Sequence, residues 1–137
     1  MNYLIEHIQQ YHQIFNDINI NVNDRNIIYL KGDLGSGKTS FIKEFMKNQF
    51  NYNDVSSPTF GLINTYNANG KLIYHYDLYR IKNTSEFEDI GLYQLLAHDN
   101  IHFIEWPEMI PKTIISPKII INFSLLDKHR LLTVKML

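Results

Sequence analysis

The chain has 137 residues, 45% of them hydrophobic and 20% charged, which favours one globular domain over residues 1–137 with a single sizeable core. Its net charge is -1 without a run of basic residues, so we do not expect the chain alone to bind nucleic acid tightly. The lack of cysteine excludes disulfides and thiolate metal sites, and with neither a signal peptide nor a membrane-spanning run in the sequence we expect a cytoplasmic protein that does not associate with membranes.

The first third of the chain predicts a helix, a strand and a second helix. Apolar residues recur at helical spacing near the N-terminus, so residues 3–15 are predicted to form an amphipathic helix. The β-branched run at 27–31 is typical of a central strand. Residues 32–39 turn the chain, and the segment 39–50 again places its apolar side chains on one helical face.

A hairpin and a capped helix are predicted next. Residues 60–79 contain two runs rich in aromatic and β-branched side chains on either side of Asn69-Gly70, a pair that favours a type I′ turn. Ser85 and Glu88 fit a capping box, with the serine at the N-cap of a helix and the glutamate at its N3 position.

Three further strands are predicted in the last third of the chain. Residues 100–104 form an apolar run typical of a buried strand. Residues 118–126 and 129–137 are predicted to close the sheet as an antiparallel pair.

The turn at residues 32–39, GDLGSGKT, satisfies the pattern G-x-x-x-x-G-K-[ST] and lies between a predicted strand and helix, where a P-loop belongs. Glycines let the backbone N–H groups close around phosphate oxygens, and the helix N-terminus adds positive potential. Lys38 is predicted to reach the β- and γ-phosphates, and the Thr39 hydroxyl to bind Mg²⁺. The predicted nucleotide-binding residues are Gly32, Asp33, Leu34, Gly35, Ser36, Gly37, Lys38, Thr39, Ser40 and, from a later segment, Thr59.

Two carboxylates follow apolar strands and are candidates for the same site. A P-loop site needs an acidic group on a neighbouring strand to hold Mg²⁺, directly or through water. Glu105 is the predicted metal-associated and catalytic carboxylate, because it follows the strand at 100–104. Asp77, at the end of the second hairpin strand, is predicted to be catalytic or to hold a metal-bound water, although a helix-capping role is the alternative.

Other residues near these motifs leave alternatives open. Thr59, in the segment SSPTF, is either a switch residue facing the γ-phosphate or part of an ordinary turn before a strand. Arg80 either stabilises charge or pairs with Asp77. His75 lies on the same strand face as Asp77, and a packing role is the better interpretation. Trp106 either packs in the core or reports nucleotide state to a partner.

The order of the motifs GDLGSGKTSF, SPTFGLINTY, YHYDLYR, FEDIGL and IEWPE resembles the TsaE (YjeE) family of small bacterial P-loop ATPases. The resemblance runs from about residue 27 to residue 107. It implies an α/β fold, a P-loop NTPase three-layer sandwich whose mixed central sheet contains an antiparallel hairpin.

The same resemblance implies a function and a set of roles. The function is ATP hydrolysis, dependent on Mg²⁺ and weak without a partner, needed for threonylcarbamoylation of adenosine 37 in tRNAs reading ANN codons. A TsaD–TsaB-type complex performs the transfer, so the chain is expected to act on tRNA only indirectly, through that complex. The family's phosphate lysine falls on Lys38, its metal threonine on Thr39, its switch threonine on Thr59, its catalytic aspartate on Asp77 and its metal-associated glutamate on Glu105.

Two other functions remain open on the sequence. A small-molecule P-loop kinase needs an acceptor pocket and usually an arginine-bearing lid, whereas this short chain has Arg25, Arg80 and Arg130 and no evident lid insertion. A nucleotide-dependent binding module with incidental hydrolysis is the second alternative. The sequence contains no N/T-K-x-D guanine motif, which favours ATP over GTP.

Overall fold

The computed structural model describes residues 1–58 and 62–137, which form one mixed seven-stranded sheet in the order β1-β7-β6-β2-β5-β4-β3. The strands are β1 (Asn2–Ile5), β2 (Asn26–Lys31), β3 (Ile63–Ala68), β4 (Lys71–Asp77), β5 (Ile101–Glu105), β6 (Ile119–Leu126) and β7 (His129–Met136). The helices are α1 (Tyr11–Ile18), α2 (Lys38–Phe50), α3 (Ser85–Asp89) and α4 (Leu92–Leu96).

The centre of the sheet is parallel and its margins are antiparallel. Strands β6, β2, β5 and β4 run parallel to one another, while β3 pairs with β4, and β7 pairs with both β6 and β1, in antiparallel fashion. The carboxyl ends of the four parallel strands therefore meet at one edge of the sheet, where ligands of open α/β folds bind.

Helices cover both faces of this sheet, which makes three layers. The inner side chains of α1 and α2 form one buried cluster with alternate residues of β2, such as Ile28 and Leu30. The intervening residues of β2, Ile27 and Tyr29, contribute to a second cluster with α3, α4 and the segment after β5. Because β2 is buried on both faces, its sequence is a continuous apolar run, as expected for a central parallel strand. The predicted fold class is confirmed.

The predicted N-terminal helix is correct only in part. Residues 2–5 form β1 instead, which pairs with β7 along the edge of the sheet. A single 3₁₀ turn at Ile8–Gln10 follows, and the helix α1 extends beyond the predicted end to Ile18. The Gln10 side chain accepts hydrogen bonds from the backbone N–H groups of Glu6 and His7, which ends the strand and starts the turn. Edge pairing with a distant strand overrides the local helical periodicity here.

The hairpin prediction is confirmed, whereas the capping box is wrong. Asn69 and Gly70 have φ values of 54° and 90°, as a type I′ turn requires. Thr84, not Ser85, occupies the N-cap of α3 and makes no side-chain capping bond. Glu86 instead accepts hydrogen bonds from the backbone N–H groups of the two residues at 82 and 83, ahead of the helix.

No helix among residues 1–58 and 62–137 is long and apolar enough to cross a membrane.

A buried histidine network lies on the α3/α4 face of the sheet. His102 on β5 stacks on Tyr74, with ring centres 5.2 Å apart, and its Nδ1 accepts a hydrogen bond of 2.7 Å from the Tyr76 hydroxyl. Its Nε2 donates to the carbonyl oxygen of His98. Burial lowers the pKa of His102 from 6.5 to about 4, so the imidazole is neutral in the folded protein near pH 7.

This network predicts a loss of stability in mild acid. The unfolded chain takes up a proton on His102 near pH 6.5, and the folded protein only near pH 4, so acidification within that window favours unfolding by up to about 1.4 kcal/mol per pH unit. His102→Phe keeps a ring against Tyr74 but removes the proton acceptor. We expect it to flatten the fall in the free energy of unfolding, measured in urea between pH 7 and pH 4. His129→Gln, at a partly exposed site on β7, should keep the wild-type slope, and equal slopes in all three proteins would contradict the assignment.

Candidate functional site

The loop between β2 and α2 is closely packed against the end of the sheet. Gly37 precedes α2 with a φ of 106°, and a Cβ built there would lie 2.9 Å from the guanidinium of Arg130. A Cβ on Gly32 would lie 2.8 Å from the backbone oxygen of Phe123 on β6. Gly37 therefore requires glycine for its conformation, and Gly32 requires it for space, because the backbone of Phe123 cannot give way as the end of the Arg130 side chain can.

Lys38, the first residue of α2, is buried beneath this loop. Its side chain is directed back along the loop, where Nζ donates to the carbonyl oxygens of Gly32 and Asp33. The same Nζ lies 4.2 Å from the ring centre of Trp106, a cation–π contact. Burial lowers the pKa of Lys38, and the negative charges of Glu105 and Asp77 partly oppose that shift.

Strand periodicity directs the two candidate carboxylates to the α2 face. Glu105 is two residues beyond Phe103, and Phe103 belongs to the cluster under α1 and α2. Asp77 and Glu105 are paired in the parallel register of β4 and β5, so they lie side by side at the ligand edge of the sheet. The Thr39 hydroxyl donates to Glu105 Oε2 over 3.2 Å.

The environments of the two carboxylates differ. Glu105 is only 4% exposed, whereas Asp77 is half-buried. Asp77 Oδ1 accepts a hydrogen bond from the backbone N–H of Tyr79. Burial raises the pKa of Asp77, the Tyr79 hydrogen bond opposes the shift, and the charge of Glu105 adds to it.

One pocket of about 390 Å³ brings the predicted site residues together. Its lining contains the loop and helix residues 34–40, the carboxylates Asp77 and Glu105, and also Ser57, Trp106 and Arg130. Gly32 and Asp33 are not part of this lining. Thr59, the predicted switch residue, lies outside the described residues. Within residues 1–58 and 62–137, no group of three or more His, Asp or Glu side chains could hold a metal on its own.

Comparison with known proteins places this site in a family. The family model described as "Threonylcarbamoyl adenosine biosynthesis protein TsaE" matches residues 5–132. The chain belongs to the TsaE family.

Curated relatives agree with this membership, and a solved structure has the same fold. The TsaE protein of Rickettsia felis is 41% identical over 105 residues, which cover 76% of this chain and 61% of that protein. The Haemophilus influenzae protein is 36% identical over 104 residues, covering 76% and 66%. The matches span 61% and 59% of the length of the R. felis and R. conorii proteins. The crystal structure of Bacillus subtilis YdiB has the same fold, with a TM-score of 0.69, 21% identity, and coverage of 99% of this chain and 84% of that one.

Two contacts of this TsaE family member were not predicted from its sequence. His75, for which the sequence favours a packing role, is fully buried, yet its Nε2 lies 2.5 Å from Glu105 Oε2. Arg130 on β7 reaches the P-loop, and its Nη1 donates to the hydroxyl of Tyr11 over 3.0 Å. The position of His75 two residues before Asp77 was the available signal for the first contact. The second depends on the β6–β2 pairing, which the sequence does not reveal.

Trp106 has an unusual backbone and two partners. Its φ of 58° and ψ of 56° are left-handed, a conformation that costs a non-glycine residue roughly 1–2 kcal/mol. Its ring packs on Tyr79, with centres 4.9 Å apart, as well as over Lys38. The side chain is therefore held at the rim of the pocket, in contact with the predicted phosphate-binding ammonium.

The contact between Lys38 and Trp106 predicts a fluorescence signature. Trp106 is the only tryptophan, so it alone supplies the indole emission. An ammonium against an indole ring quenches its emission, and we expect Lys38→Met to raise the intensity of the ligand-free protein. Lys43→Met, an exposed lysine of the same helix, is the matched control. Identical spectra for the two variants would show that the contact does not exist in solution.

Proposed function

We propose that this chain hydrolyses ATP as part of tRNA threonylcarbamoyladenosine biosynthesis, acting through a TsaD–TsaB-type complex and not as the transferase. Membership of the TsaE family supports the pathway, because the family and its curated relatives are described by that biosynthesis. The ATPase activity and the partner are inferred from the chemistry of the pocket and from the resemblance in the motifs.

The observation that carries the proposal is the convergence of four side chains in one pocket. Lys38, Thr39, Asp77 and Glu105 come from the start of α2 and the ends of β4 and β5, and all four line the same space of about 390 Å³. A cation, a hydroxyl and two carboxylates beside a P-loop form the set that phosphoryl transfer to water requires.

A second, independent observation indicates that the loop can bind a polyphosphate. Ser36 is 2% exposed, and its Oγ has no hydrogen-bond partner among the described residues. A buried hydroxyl without a partner is costly, and a phosphate oxygen in the pocket would accept a hydrogen bond from it. The 13-residue helix α2 begins at Lys38, so its N-terminal potential is directed at the same space.

Magnesium is expected at Thr39 and Glu105. Since no group of three or more His, Asp or Glu side chains among the described residues could hold a metal on its own, phosphate oxygens and water would have to complete the coordination. When bound, Mg²⁺ neutralises charge on the phosphate oxygens. The chain's own groups do the rest: Lys38 binds phosphate, and Asp77 accepts a hydrogen bond from the attacking water and orients it.

The decisive experiment combines two product analyses. The purified chain is incubated with labelled ATP, alone and with TsaD–TsaB proteins, tRNA and threonylcarbamoyl-adenylate as the donor. The nucleotide products are separated, and the tRNA is digested to nucleosides for analysis. The proposal requires free phosphate, faster in the presence of the partners, and threonylcarbamoyladenosine that depends on the chain. Label on a metabolite would favour the kinase, and modified tRNA with a non-hydrolysable ATP analogue would favour the binding module.

Two variants separate binding from chemistry at the carboxylates. Glu105→Gln and Asp77→Asn should each lower hydrolysis by about 10²-fold or more, because each removes a charge that orients the metal or the water. Nucleotide affinity, measured by calorimetry, should change by less than about threefold, because P-loop contacts dominate binding. Glu108→Gln removes an equal charge from an exposed neighbouring position and should retain wild-type turnover. Wild-type hydrolysis in either carboxylate variant would refute the assigned role.

Arg130 is predicted to contribute to nucleotide affinity. Its guanidinium lies against Gly37 in the pocket, where a phosphate would come within reach. Arg130→Met should weaken ATP binding by about tenfold or more, since a hydrogen bond to a charged group contributes roughly 1.5–3 kcal/mol. Arg130→Lys should be intermediate. Tyr11→Phe, which removes only the hydroxyl that Arg130 contacts, measures the structural part of the effect. Equal affinity of Arg130→Met and wild type would exclude the contact.

A further inference from the structure

A continuous set of hydrogen bonds leads from the P-loop into the sheet. The Thr39 hydroxyl donates to Glu105 Oε2 over 3.2 Å, and His75 Nε2 lies 2.5 Å from the same oxygen. The other ring nitrogen of His75, Nδ1, lies 2.9 Å from the hydroxyl of Tyr66 on β3. Thr39, Glu105, His75 and Tyr66 thus connect α2 with three strands, and we call these four residues the buried polar chain.

The two ends of the buried polar chain, Tyr66 and Thr39, both contact the segment at residues 56–57. The Tyr66 hydroxyl also lies 2.8 Å from the carbonyl oxygen of Ser56, so its single hydrogen faces both that oxygen and Nδ1 of His75. The next residue, Ser57, has its hydroxyl 2.9 Å from Thr39 Oγ1. Both ends of the buried polar chain therefore contact residues 56 and 57, which directly precede Pro58 and the predicted switch position.

The chemistry of the groups fixes what His75 does for Glu105. A carboxylate at this distance accepts, so the facing Nε2 must carry the hydrogen. Both hydrogen bonds end on Oε2, and the other carboxylate oxygen, Oε1, is used by neither. Glu105 is thereby held at one oxygen while the second is left for another ligand.

Three of these four side chains are buried, all except Thr39, so each of their polar groups needs a hydrogen-bond partner. Exposure is 0% for His75, 3% for Tyr66 and 4% for Glu105. A buried polar group without a partner is costly, and here each ring nitrogen of His75 has one. A histidine that only filled space would be replaced without loss by an apolar side chain of similar size. A histidine that donates a hydrogen bond to Glu105, the candidate metal carboxylate, could not be replaced in this way without loss of activity.

We propose that His75 is a positioning residue for Glu105, and that Tyr66 orients His75 and links it to the segment at residues 56–57. The inference rests on the proposed ATPase function, since it assigns to Glu105 a role whose geometry must be fixed. Groups that orient metal-associated side chains typically contribute 10- to 100-fold to activity. His75 acts only through the carboxylate of Glu105.

Activity tests this through variants that differ in one donor. His75→Leu removes both ring nitrogens, whereas His75→Gln keeps an N–H near the position of Nε2. We expect His75→Leu to lower kcat by about 10- to 100-fold with nucleotide affinity within about threefold, and His75→Gln to recover most of the loss. In the Glu105→Gln background, His75→Leu should cost less than about threefold more, because its effect passes through Glu105.

A spectroscopic test does not depend on turnover. The proton on His75 Nε2, in a short buried hydrogen bond to a carboxylate, should give a low-field NMR resonance that disappears in His75→Leu. Glu105→Gln should move it upfield, and Tyr66→Phe should shift it through the opposite ring nitrogen. Glu108→Gln should leave it in place.

The proposal is overturned if His75→Gln and His75→Leu have the same kcat, or if the effects of His75→Leu and Glu105→Gln on kcat multiply. It is also overturned if the ring NMR resonance has the same position in Glu105→Gln as in the wild type. Should His75→Leu fail to fold, Tyr66→Phe provides the second variant, and a kcat and resonance identical to wild type would overturn the role of Tyr66. A wild-type protein that does not hydrolyse ATP refutes the proposed function instead, while the resonance still decides the contact.

Discussion

The parallel pairing of β5 with β2 on one side and with β4 on the other is the constraint on which the rest of the site depends. It places Asp77 beside Glu105, and Glu105 beside Leu30 of β2, two residues before the glycine loop begins. Because side chains alternate along a strand, the same register turns both carboxylates to the face that α2 covers. A slip of one residue would turn them to the opposite face and leave Thr39 without its carboxylate partner.

That constraint creates an electrostatic problem which the neighbouring residues resolve. Two carboxylates at one sheet edge, one of them almost fully buried, are unfavourable unless cations and donors surround them. Lys38 supplies the charge, while Thr39 and His75 supply hydrogen bonds to Glu105. Lys38 itself is buried. Its ammonium donates hydrogen bonds to carbonyl oxygens of the loop and makes a cation–π contact with the Trp106 ring. The strained backbone of Trp106 is thus one cost of assembling this polar cluster in a low-dielectric site.

The sequence predicted those parts of the molecule that local patterns specify. The P-loop, the hairpin about Asn69-Gly70 and the last antiparallel pair depend on short motifs and strand periodicity, and all three lie where they were expected. The N-terminal strand was missed because its partner is β7, more than 120 positions away along the chain. The contacts of His75 and Arg130 could not be predicted for a related reason. Each contact depends on which strands are neighbours in the sheet, and strand order is a property of the whole sheet.

The same geometry explains why a glutamate, and not an aspartate, ends β5. Oε2 of Glu105 must satisfy two donors from different elements, Thr39 Oγ1 on α2 at 3.2 Å and His75 Nε2 on β4 at 2.5 Å. Removing one methylene would withdraw the carboxylate by about 1.5 Å, the length of a carbon–carbon bond. Hydrogen bonds tolerate only a few tenths of an ångström, so an aspartate could not reach both donors without moving the strand. Moving β5 would in turn disturb its pairing with β2 and β4. The extra length of Glu105 therefore follows from the positions of α2 and β4, which the core already fixes.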